Sequence, residues 1–191
     1  MKQLKELFVG ATMVQTERQL LRNQRVIMLA DQIDEVAAFD FVQDAILLSG
    51  ETEPVRIIIA SNGGNIEDGL AIMRAIRELQ RKGIKVIGEV HGRAMSAAFL
   101  ILQCCDERTM GKPDVLMAHG LTTFAIGDMR NLDAESKLLK HWQKYFAEML
   151  TNRCKGEYAK QEFWMEIMED NTPRFYSSEE SLNMGLCDRI E

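Results

Sequence analysis

Three short segments carry groups suited to nucleophilic catalysis. In Gly92-Arg-Ala-Met-Ser96-Ala-Ala a serine stands where a strand is expected to turn into a helix, among small residues that let a substrate backbone approach. His119 follows twenty-three residues later, at the end of the next expected strand, where an imidazole could take the serine's proton as a general base. Ser61-Asn-Gly-Gly64 ends the strand before, and its glycines allow a backbone N–H to point into a site. Each has an ordinary structural reading. Serines at helix starts are mostly N-caps, a lone histidine proves little, and Gly-Gly suits any strand-to-helix turn. The ordered set, one part after each of three successive strands, outweighs those separate explanations.

The elements that must position these groups follow from the hydrophobic pattern. Arg25 to Ala30 reads as a buried strand, and Asp34 to Leu48 as a helix capped by Asp34 and stopped by Gly50. Val55 to Ala60 is a second strand, rich in β-branched residues, and Asn65 to Lys82 a second helix that Gly83 ends. Ile84 to Val90 is a third strand, His91 to Met95 a tight turn, and Ser96 opens an apolar helix to about Cys105. Val115 to Ala118 is a fourth strand, ending at His119. Strands alternating with helices predict a mainly parallel sheet, which places its sites at the carboxyl ends of its strands. From Met129 to Asn152 the apolar residues Leu132, Leu138, Leu139, Trp142, Phe146, Met149 and Leu150 predict an amphipathic helix of about six turns, long for a domain of this size. A helix from Glu157 to Met168, a short one from Ser178 to Met184 and a strand around Leu186 to Ile190 complete the chain.

Composition limits the partners. The 191 residues suit one domain with a sizeable core, and 46% apolar with 27% charged residues is the balance of an ordinary globular protein. Lys plus Arg number 23 against 29 for Asp plus Glu, a net charge of −6, which argues against nucleic acid or an anionic membrane surface. The longest apolar stretch, Ala94 to Leu102, contains Ser96 and falls well short of the ~20 residues of a bilayer span. The N-terminus lacks the basic start, apolar run and small-residue cleavage site of a signal peptide, so a cytoplasmic location is expected. Cys104, Cys105, Cys154 and Cys187 include an adjacent pair and no C-x-x-C, and read as buried reduced thiols. No metal or cofactor is assigned, and His91 and His141 read as packing or surface groups.

Taken in order, the motifs resemble the proteolytic subunit of the Clp protease, the ClpP family of self-compartmentalising serine peptidases. The likeness runs from about Gln24 to Glu191. It rests on Arg25-Val-Ile-Met-Leu with Gln32-Ile-Asp34, Ser61-Asn-Gly-Gly64 with Gly69-Leu-Ala-Ile72, Gly92-Arg-Ala-Met-Ser96, Leu116-Met-Ala-His119, Phe175-Tyr-Ser-Ser-Glu-Glu180 and Gly185-Leu-Cys-Asp188. The resemblance implies a crotonase-like α/β fold of repeated strand-helix units with the Met129–Asn152 helix as a handle. It implies that Ser96 is the nucleophile, that His119 is its base, and that the Gly64 and Ala97 N–H groups form an oxyanion hole. It also implies a homo-oligomer of stacked heptameric rings that cleaves unfolded polypeptides, fed by an ATP-dependent unfoldase. Residues 1–24 would then be an N-terminal segment at the axial entrance, and 25–191 a single peptidase domain.

The sequence departs from the family at several points. The family's catalytic aspartate lies two residues before the aromatic of the C-terminal signature, and here that position is Pro173. Either Asp170, the choice taken here, or Glu169 supplies the carboxylate, or the triad is incomplete. After His119 the family continues Gln-Pro, whereas this chain has Gly120-Leu, and residues before Arg25 match weakly. The alternative functions are a catalytically silent ring subunit, which Pro173 favours, and an acyl-CoA enzyme of the wider crotonase superfamily, which has no need of Ser96 paired with His119.

Overall fold

A computed structural model describes residues 16–122 and 128–191. Three long parallel strands form its centre: β1 (Val26–Ile33), β2 (Val55–Gly64) and β3 (Val86–Met95). Along β2 every second residue is buried, including Val55, Ile57 and Ile59, so one face of the sheet carries the core. Residues 16–23 are helical (α1), and α2 (Glu35–Leu48) and α3 (Ile66–Arg81) follow β1 and β2. Their starts are set locally: Asp34 accepts from the Ala37 N–H, and Asn65 from the N–H groups of Glu67 and Asp68. Gly83, at φ +79°, ends α3. The entrance segment 1–24 falls largely on residues 1–15, outside the described residues. Within it, Arg18 and Arg22 tie α1 to Asp40 and to the buried Asp44 of α2.

The α/β class and the parallel sheet agree with the sequence reading; the course of β3 does not. His91 to Met95, expected as a tight turn, continues the strand. Residues 87–90 of β3 pair with β4 (Glu107–Met110), and residues 93–95 pair on the same side with β5 (Val115–Ala118). The buried Asp114 carboxylate accepts from the Gly92 N–H at 2.8 Å and the Gly111 N–H at 2.6 Å, fixing the point where one neighbour gives way to the other. β6 (Arg174–Ser177) runs antiparallel to β5, and the short β7 (Arg189–Ile190) pairs with β4. β4 and β6 are absent from the sequence-based expectation.

The helix after Ser96 is also shorter than expected: α4 (Ala97–Leu102) is six residues, all buried. α5 (Met129–Thr151) matches the handle prediction. Only Phe146, Ala147, Met149 and Leu150 near its C-terminus are buried, while Met129, Leu132 and Leu138 remain exposed. A 3-10 turn at Gly156–Tyr158 delays α6 to Gln161–Glu169, and α7 (Ser178–Met184) starts with a capping box between Ser177 and Glu180. Cys104, Cys105 and Cys187 are buried and free, as expected, whereas Cys154, also free, is only half-buried; burial pushes the Cys104 thiol up to about 11. Among the described residues no helix is long and apolar enough to cross a membrane.

Candidate active site

Ser96 links β3 to α4 with φ +54° and ψ −122°, a conformation that non-glycine residues rarely adopt and that costs roughly 1–3 kcal/mol. The surroundings hold it there. Its N–H donates to the Met117 carbonyl of β5 at 2.9 Å, and the buried α4 follows at once. The capping explanation for this serine fails, because its side chain makes no cap hydrogen bond. The half-buried hydroxyl instead lines a cleft of about 410 Å³ with Ala97, Gly64 and His119.

Gly63 and Gly64 bring the end of β2 against the Ser96 turn. A β-carbon on Gly63, at φ +91°, would lie 2.6 Å from the Met95 carbonyl oxygen and 2.7 Å from the Ser96 Cβ, so only glycine allows the approach. The buried Ser61 hydroxyl fixes this segment, accepting from the Gly63 N–H at 3.0 Å and donating to the Asp31 carbonyl across β1. Asn65 N–H donates to the Ile33 carbonyl on the β1 side at 2.8 Å. Gly64 lines the same cleft as Ser96 and Ala97. Ala97 is the first residue of α4, and its N–H has no acceptor within the helix.

His119 follows β5 and is half-buried. Its Nδ1 lies 2.5 Å from the carbonyl oxygen of Gly120, and its Nε2 has no hydrogen-bond partner among the described residues. The Ser96 hydroxyl likewise has none there, so the two side chains share the cleft without a bond between them. Catalytic hydrogen bonds are often open in ligand-free enzymes and tighten when substrate binds.

The third group is placed differently from the expectation. The last β5–β6 pair is Ala118 with Arg174, and one step further sets Pro173 across from His119. Proline has neither a carboxylate nor an N–H, so both the acid and the ladder end there. Beyond it the pairing slips by two residues: the Gly120 N–H donates to the main-chain carbonyl of Asp170 at 3.3 Å. Asp170 does not line the cleft; its carboxylate accepts from the Thr172 hydroxyl at 2.8 Å and its N–H at 3.0 Å, with Arg174 3.5 Å away. Those Thr172 bonds, and then Arg174, hold the Asp170 carboxyl below its ordinary value. Glu169 is exposed and does not line the cleft. The structure thus brings Ser96, Ala97, Gly64 and His119 together, and it brings Asp170 to the histidine segment through its backbone only.

Sequence reasoning missed the far wall of the cleft. Leu139 and Trp142 of α5, read as part of the handle stripe, line it together with the half-buried Glu135, and Glu67 joins them from the first turn of α3. Neither carboxylate has a hydrogen-bond or ion-pair partner among the described residues, and no lysine or arginine lines the cleft. Glu67 follows the Asn65 cap by two residues, a local signal that could have placed it. Glu135 sits within the apolar stripe of α5, between Leu132 and Leu138 and one turn before Leu139, and a carboxylate interrupting that stripe is the signal that could have marked it.

A protein-family model described as Clp protease matches residues 10–191. The chain is similar to the ATP-dependent Clp protease proteolytic subunit 2 of Chlamydia pneumoniae, 28% identical over 178 residues that cover 89% of this chain and 82% of that protein. It is also similar to proteolytic subunit 1 of Streptomyces avermitilis, 22% identical over 169 residues that cover 87% of this chain and 75% of that protein.

Proposed function

Given that the chain belongs to the Clp protease family, we propose that it is a serine endopeptidase that cleaves unfolded polypeptides in a chamber assembled from copies of itself. The observation that carries this reading is the Ser96 turn, a strained backbone with an uncapped hydroxyl in one cleft with His119, Gly64 and Ala97. Ser96 Oγ attacks the scissile carbonyl carbon as its proton passes to His119 Nε2. The carbonyl π electrons move onto oxygen, where the Gly64 and Ala97 N–H groups hold the charge. Collapse of this intermediate breaks the C–N bond, and His119 returns the proton to the leaving amine. Water then adds to the acyl-Ser96 carbonyl, giving its proton to the same Nε2, and the ester opens to free Ser96 and a carboxylic acid.

Assembly is supported by α5, whose Met129, Leu132 and Leu138 stay exposed among the described residues. Stacked heptameric rings that interdigitate these helices would bury them. The relatives above are named ATP-dependent, which supports an ATP-driven unfoldase as partner in the cytoplasm. A fluorophosphonate probe should label Ser96 and leave Ser96→Ala unlabelled, with peptide cleavage following the same pattern. Absence of both labelling and cleavage from the assembled wild-type protein would instead establish a silent ring subunit, the reading that Pro173 favours.

A further inference from the structure

We propose that the main-chain carbonyl of Gly120 orients His119 in place of the carboxylate that Pro173 excludes. The inference rests on the reading of Ser96 and His119 as nucleophile and base. A carbonyl oxygen only accepts, so the 2.5 Å contact requires the proton on Nδ1 and leaves Nε2 bare, the tautomer that a base toward Ser96 needs. A carboxylate partner in a Ser-His-Asp triad imposes the same tautomer. The difference is charge: the carbonyl dipole orients the ring but supplies no negative charge to the imidazolium formed as Ser96 attacks.

The peptide that presents this carbonyl is held on both sides. Gly120 is buried, its N–H donates to the Asp170 carbonyl, and Leu121 packs against the core. A β-carbon at position 120 would lie 2.7 Å from the Met168 carbonyl oxygen and 2.8 Å from the Asn171 Oδ1. Glycine is therefore what lets the loop after α6 close on the histidine segment, and that loop fixes the carbonyl against the ring. Gln143 of α5 anchors the same loop by donating to the Met168 carbonyl at 2.7 Å. Asp170 contributes through its main chain, a part that no side-chain substitution removes. Gly120 and the Asp170 backbone are positioning elements, since neither touches the reacting atoms.

The test separates orientation from charge. In the full-length assembled protein, Glu169→Gln should keep fluorophosphonate acylation of Ser96 and peptide kcat within about twofold, and Asp170→Asn, which disturbs only the Thr172 and Arg174 bonds of its loop, should lower them less than about tenfold. Pro173→Asp should add the missing charge and raise kcat about tenfold or more with little change in KM, a fraction of the ~10⁴ lost when a triad aspartate is replaced. A hundredfold loss in Asp170→Asn or Glu169→Gln would overturn the proposal by making that carboxylate the third member. A second readout needs no activity. The chain has three histidines, so ¹⁵N-histidine spectra with His119→Gln for assignment should show His119 protonated on Nδ1 and bare on Nε2 when neutral. The opposite tautomer would overturn the proposal even in an inactive protein, whereas failure of Ser96 to label in every variant bears on the peptidase reading alone.

Discussion

Gly63 and Ala97 meet at the floor of the cleft: a β-carbon on the glycine would lie 3.0 Å from the alanine's amide nitrogen. This contact joins the end of β2 to the start of α4 and sets the two proposed oxyanion donors, Gly64 and Ala97, beside Ser96. Gly63→Ala should therefore reduce acylation of Ser96 by about 10²-fold or more, the scale of losing an oxyanion donor. The cost in stability should be about 1–2 kcal/mol for the left-handed backbone alone. Labelling kinetics and thermal unfolding of the same sample check both parts.

Gly120→Ala should act from the other side of the cleft. The added methyl must push the loop at 168–171 away and release the carbonyl that meets His119 Nδ1. Peptide hydrolysis should fall at least tenfold. Restoration of a Gly120→Ala protein by Pro173→Asp, which needs no such carbonyl, distinguishes lost orientation from misfolding.

Glu135 and Glu67 give the cleft a negative wall with no counter-ion among the described residues. Glu135→Lys should shift the ratio of kcat/KM between lysine-containing and glutamate-containing peptides about tenfold toward the acidic substrate, and high salt should shrink the difference. Equal ratios in the two proteins would remove Glu135 from substrate contact.

The pair Arg108 and Asp188 makes acid stability predictable. Burial works to raise the Asp188 carboxyl, but hydrogen bonds and charge from Arg108, at 2.7 and 2.9 Å, outweigh it and hold the group below the carboxylate range. A depressed native value means that this stabilisation is present above the unfolded value of about 3.9 and is lost as pH falls through the native one. Denaturant titrations should show stability declining below about pH 4, with a smaller slope in Asp188→Asn. That variant should also cost about 2–3 kcal/mol at neutral pH, because Arg108, 4% exposed, loses its counter-charge and one of the two oxygens it donates to, and keeps Gln103, the Gly185 carbonyl and a single amide oxygen at position 188.

The exposed half of α5 yields a prediction about mass. Leu132→Asp with Leu138→Asp places charge on the apolar stripe without touching the buried Phe146 end. Sedimentation should show the assembled wild type replaced by single rings or monomers of unchanged helicity.

The sequence alone determined what depends on neighbours along the chain. Asp34 and Asn65 cap their helices through bonds two or three residues away, and Gly83 stops α3 by its own backbone freedom. The β-branched runs of β1 and β2 and the spacing of Ser96 and His119 after successive strands are equally local. Tertiary structure decided the rest, because strand partners and side-chain partners lie far apart in sequence. His91–Met95 is strand because β5 arrives to pair with residues 93–95, and β4, which carries a buried arginine, is held by Asp188 eighty residues on. Glu135 enters the cleft only because α5 folds back across it. Which oxygen meets His119 Nδ1 depended on the slip that Pro173 forces between β5 and β6, and no local pattern encodes that register.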